Sequence, residues 1–126
     1  MKVYRTYDGG DVPELEVLRE GVITRISFDF DVEEKSIDGE TIQQLVCENI
    51  DVRGIDYAAI VNAIVVEKYP SDKYEAVMAN YAEANDPESE LTPAKRAEYL
   101  QEYSDFQAWR KKAKTIALNV VAEISE

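Results

Sequence analysis

The stretch Asn49-Ile50-Asp51-Val52-Arg53-Gly54-Ile55-Asp56-Tyr57-Ala58-Ala59-Ile60-Val61-Asn62-Ala63-Ile64 contains the point at which the hydrophobic period of the chain changes. Up to Val52 apolar and polar residues alternate, the period of two shown by a strand with one dry face. Beyond Gly54 the spacing is different. Tyr57, Ile60, Val61 and Ile64 recur at i, i+3, i+4 and i+7, a helical stripe, with Asp56 placed to cap it. Strands before this junction and helices after it predict an α+β fold in one domain over 1–126. A small antiparallel β region fills 1–55, and three or four helices over 56–126 cover its apolar face.

Reading back from the junction, Thr41 to Val52 forms a strand in which Ile42, Val46, Ile50 and Val52 share one parity. Leu45 and Cys47 have the other parity, so either a bulge shifts the phase or the strand is covered on both sides. Asp38-Gly39 supplies a hairpin turn, because glycine reaches positive φ without steric cost. Before it, Ile26, Phe28, Phe30 and Val32 alternate with Ser27, Asp29 and Asp31, which predicts a strand with those four apolar residues on one buried face. Lys2 to Tyr7 is a short mixed run that ends at the turn Asp8-Gly9-Gly10-Asp11, and Pro13 bars a helix from passing through.

Reading forward, the first helix runs roughly over 56–69 and ends at Pro70, since the residue before proline avoids helical backbone. Ser71 can cap a second helix carrying Tyr74, Val77, Met78 and Tyr81, which Asn85-Asp86-Pro87 breaks. The acidic segment 85–92 is an exposed linker. Thr92-Pro93 is a cap followed by proline at the first helical position, and neither proline nor glycine interrupts the chain from there to Ile124. A continuous helix of that extent is about 48 Å long, whereas a globule of this chain length is about 36 Å across. It must break or overhang. Ser104-Asp105-Phe106-Gln107 has capping-box spacing and argues for a break. Tyr99 and Tyr103 share a stripe with Phe106, Trp109, Ala113, Ile116, Ala117, Val120 and Ile124, which favours continuity or a gentle bend.

Composition narrows the function. The 126 residues include 26 acids against 14 bases, a net charge of -12. Such a surface repels a phosphate backbone and an anionic membrane leaflet, so no nucleic-acid and no membrane partner is expected. One cysteine cannot form an internal disulfide, and no apolar run approaches the roughly 18 residues of a membrane span. The expectation is a soluble protein of a reducing compartment, the cytoplasm. Histidine is absent, which removes the commonest general base, the commonest zinc ligand and the partner that would activate Cys47 or a serine. Cys47 then reads as a small buried hydrophobe. Carboxylates alone could cleave glycosides, but that chemistry needs a sugar-sized cleft that so short a chain has little room to build. Asp29, Asp31, Glu33 and Glu40 fall at positions 1, 3, 5 and 12 of an EF-hand-like loop, yet position 6 is Glu34 where the sharp turn requires glycine. The expectation is therefore no catalytic residue, no cofactor and no metal.

What remains is surface. Arg110, Lys111, Lys112 and Lys114 form the one basic cluster, either a solvated face balancing an acidic chain or a dock for an acidic partner. Eight tyrosines suit contact surfaces because the ring buries area while the hydroxyl stays wet, although Tyr57, Tyr74 and Tyr81 fall on core stripes. The candidate interaction surface is Tyr99, Tyr103, Phe106, Trp109, Arg110 and Ile116. It faces protein partners, among them a second copy meeting it through the C-terminal helix, because an unbroken helix would overhang by about 12 Å and leave apolar side chains in water.

The segment Glu102-Tyr103-Ser104-Asp105-Phe106-Gln107-Ala108-Trp109-Arg110-Lys111-Lys112-Ala113, following an acidic hairpin and two tyrosine-bearing helices, resembles small uncharacterised proteins of phage and prophage tail regions. The likeness covers about residues 46–118. It implies a virion or assembly accessory that works by protein contact, virion-associated if phage-derived, and it carries over no catalytic residue. The sequence expectation is thus a non-enzymatic structural or protein-interaction module. The alternative is an acidic nucleic-acid mimic that inhibits a DNA-binding protein. For that, the acids would have to form a stripe, and they divide evenly, with 14 of 26 in residues 1–56.

Overall fold

The computed structural model describes residues 1–125. Four strands, β1 (Lys2–Thr6), β2 (Leu15–Glu20), β3 (Ile23–Ile37) and β4 (Glu40–Arg53), precede three helices, α1 (Tyr57–Lys68), α2 (Ser71–Ala84) and α3 (Pro93–Ile124). The strands form one antiparallel sheet in the order β1-β4-β3-β2. This is the α+β architecture that the change of period predicts. β2 carries no sequence signal of its own, because Leu15-Glu16-Val17-Leu18-Arg19-Glu20 does not alternate. It joins the sheet by pairing Leu15 with Phe28 and Val17 with Ile26.

A bulge divides the sheet into two zones. Phe28 pairs with Glu48 and Asp31 with Val46, so Asp29 and Phe30 together oppose Cys47. Asp29 takes φ 54, left-handed backbone that aspartate tolerates better than most residues. One extra residue inverts the parity of everything after it. Ile26 and Phe28 face the helices with Ile50 and Val52. Phe30 and Val32, expected on that same face, turn to the opposite one with Leu45, where Arg5 lies 5.4 Å above the Phe30 ring. β4 itself carries no extra residue: its consecutive Val46 and Cys47 are both buried, so the mixed parity of Thr41 to Val52 reflects a strand covered on both sides. Past the bulge, residues 33–43 form an exposed two-stranded ribbon that closes at Asp38 (φ 51) and Gly39 (φ 81).

The helices form the second layer. Ile60 and Ile64 of α1 and Ala113, Ile116, Ala117 and Val120 of α3 close over Ile26, Phe28, Ile50 and Val52. Asp56 caps α1 by accepting from the Ala59 N–H at 3.2 Å, and Thr92 caps α3 by accepting from the Lys95 N–H at 3.2 Å. Ser71, expected as a cap, is instead the first residue of α2; Pro70 occupies the cap position and makes no side-chain cap bond. α3 is one unbroken helix of 32 residues, so Ser104 does not interrupt it. Its N-terminal half does overhang the sheet, but α2 of the same chain lies along it. Tyr81 stacks on Tyr103 at 3.7 Å, and Tyr74 meets Phe106 at 5.3 Å. Arg96 of α3 closes the α2–α3 connection by donating to the carbonyls of Ala84, Asp86 and Ser89. The overhang that the sequence would assign to a neighbour is covered from within. No helix among the described residues is long and apolar enough to cross a membrane.

Candidate functional site

α1 differs from an ordinary surface helix, which keeps a polar side for water. From Tyr57 to Val66 it has a single polar residue, Asn62. One side of α1 is spent on the core through Ile60 and Ile64. The other side borders an open groove of about 480 Å³ that runs along α1, across the start of α2 and up to α3. Tyr57, Val61, Val65 and Val66 form its α1 wall, Tyr69 and Tyr74 its end, and Phe106 and Arg110 its α3 wall. Tyr57, Val66 and Tyr74 are 37%, 46% and 42% exposed, unusually wet for apolar residues that lie together.

Beneath the groove the packing is tight. Tyr69 meets Phe106 edge to face at 5.0 Å, and the Trp109 indole N–H donates to the Ile64 carbonyl at 3.1 Å, tying α3 to α1. Burial pushes the Tyr69 phenol above its ordinary range, assisted by the nearby Asp105 and Glu102 carboxylates. The lining contains one cation, Arg110, and no carboxylate. In a chain with 26 acids the one charged side chain of the lining is thus a cation.

The structure separates the six residues singled out from the sequence. Phe106 and Ile116 are buried within the chain, so neither presents a whole side chain to a partner. Trp109 is half-buried, 6.1 Å from Phe28, with the Lys68 ammonium over its ring. Tyr103 is spent on Tyr81, and Tyr99 lies under the Lys95 ammonium at 5.2 Å. Only Phe106 and Arg110 of the six border the groove. Tyr57 and Tyr74, read from the sequence as core residues, are instead its exposed margins. The signal for the groove lies in the apolar run of α1, broken by Asn62 alone, whose period by itself points to one face.

The acids of 29–40 lie along the β3–β4 hairpin and not around a common point. Asp29 pairs with Lys112 at 2.5 Å, and Asp31 accepts from the Val32 N–H. Among the described residues no three metal-ligating side chains come together. Cys47 is buried in the sheet. Compared with protein-family models, with curated proteins and with solved structures, the chain finds no match.

Proposed function

We propose that this chain is a non-enzymatic protein-contact module of the structural or assembly-accessory kind. The observation that carries this reading is α1, apolar on two sides, with one side in the core and the other open to solvent along the groove. Burying a valine or tyrosine side chain of such a surface against a partner contributes roughly 1.5 to 3 kcal/mol. The resemblance of residues 46–118 to phage and prophage tail-region proteins points the same way, towards a virion or assembly accessory. The test places a photo-crosslinking side chain at Val66, with a control at Leu118, which is 61% exposed on α3. A discrete adduct from position 66 that the control does not give supports the reading. Equal, diffuse adducts from both positions overturn it, as does turnover of a hydrolase or transferase substrate that is lost on a single carboxylate substitution.

A further inference from the structure

Resting on the reading of this groove as a contact surface, we infer that its occupant is an amphipathic helix of a partner protein with carboxylates beside its apolar stripe. Three features of the groove define that occupant. Its α1 wall from Tyr57 to Val66 is about 14 Å long at the helical rise, which matches apolar anchors at i, i+4 and i+7 of a docked helix. It is open along its length, with Tyr57, Val66 and Tyr74 in water, so a small molecule lying in it would keep its own outer side wet. A helix whose parent chain covers that outer side closes the groove fully.

The third feature is charge. Arg110 is the one charged residue of the lining, and no carboxylate among the described residues pairs with it. Lys114 follows Arg110 by one helical turn on the same side of α3 and is likewise without an ion-pair partner among the described residues. A guanidinium beside apolar surface and free of an internal acid is suited to bidentate capture of a carboxylate. A basic helix would meet Arg110 and Lys114 as like charges, although the net charge of the chain attracts it from a distance. A second copy of this chain would bring a further net charge of -12 to the encounter.

The experiment titrates the full chain, isotope-labelled, with two synthetic helical peptides that share leucines at i, i+3, i+4 and i+7 and differ in having glutamates or lysines beside them. The expected result is that the glutamate peptide binds and shifts the amides of α1 and of Arg110. Arg110→Glu should weaken it about tenfold or more and make the lysine peptide the tighter ligand, the thermal melt being unchanged because Arg110 is exposed. Preference of the wild-type chain for the lysine peptide at the same amides overturns the acidic occupant and leaves the contact surface standing. Binding of neither peptide, or concentration-dependent self-association that broadens the α1 amides, overturns the inference, and the crosslink from Val66 then decides separately whether the groove is a contact surface.

Discussion

The indole N–H of Trp109 in α3 reaches the backbone carbonyl of Ile64 in α1 across 45 residues of sequence, at 3.1 Å. This bond fixes the rotation of α3 against α1. Replacing Trp109 by phenylalanine keeps much of the ring and loses the donor, and should cost about 1 kcal/mol. Alanine removes the contact with Phe28 as well and should cost about 3 kcal/mol. Urea unfolding of the two variants measures both, and a near-neutral phenylalanine variant would show that the bond adds nothing to packing.

The stacked pair Tyr81 and Tyr103 holds α2 on the overhanging half of α3, far from the sheet core. Tyr103→Ala should therefore loosen one part of the molecule more than the rest. Amide hydrogen exchange is expected to accelerate through 71–84 while Ile26, Ile50 and Ile64 keep their protection. A uniform loss of protection would mean that α2 and the sheet open together.

The left-handed backbone at Asp29 makes the bulge sensitive to side-chain shape. Asp29→Val should cost about 1–2 kcal/mol, because a β-branched residue is strained there. Asp29→Asn keeps the tolerance and loses a half-exposed ion pair with Lys112, and should cost less than about 1 kcal/mol. Deleting Phe30 removes the extra residue and leaves the pairs from Asp31–Val46 onward in register, so its cost should be limited to the lost Phe30–Arg5 contact, about 1 kcal/mol. Denaturation midpoints order the three variants.

Alkaline pH acts on Tyr69. Burial first, and then the Asp105 and Glu102 carboxylates, hold its phenol above the ordinary value, so the folded chain keeps this proton more tightly than the unfolded chain. That contribution to stability is fully present below the unfolded pKa near 10 and is lost as pH rises through the raised folded value. Tyr69→Phe is expected to melt like the wild type at neutral pH and above it at pH 10 to 11. Equal losses in both proteins across that range would assign alkaline unfolding to other groups.

The ribbon beyond the bulge buries little, as residues 33–43 are all exposed. Replacing 34–43 with Asn-Gly, which joins the paired residues Glu33 and Gln44, should change stability by less than about 1 kcal/mol. Thermal melting of the shortened chain is the measurement.

Local chemistry was legible in the sequence wherever a short stretch decides the outcome. Asp56 and Thr92 as caps, Asp38-Gly39 as a turn and the junction at Gly54 all follow from residues close together. The bulge did not, because Phe30 and Val32 continue the parity of Ile26 and Phe28 without a break, and only the backbone of Asp29 changes their face. The stripe of α3 was readable, but its cover was not. Whether Phe106 and Tyr103 meet α2 or a neighbour depends on where the chain returns, which no period records. The groove escaped notice for the same reason: the stripe of α1 was assigned to one buried face, and its second apolar side became visible once Ile60 and Ile64 were placed.

The order of the elements also bears on how the protein is made. All four strands are complete at Arg53, yet Ala113, Ile116, Ala117 and Val120, which close over Ile26 and Phe28, follow them in the chain only after α1 and α2. Until they emerge, α1 alone shields the apolar side of the finished sheet. The nascent chain therefore carries this apolar surface until α3 has emerged, and a premature stop before Ala113 produces a sheet without its cover. Such fragments are substrates for chaperones and proteases, whereas loss of the distal ribbon at 34–43 leaves the closing helix intact.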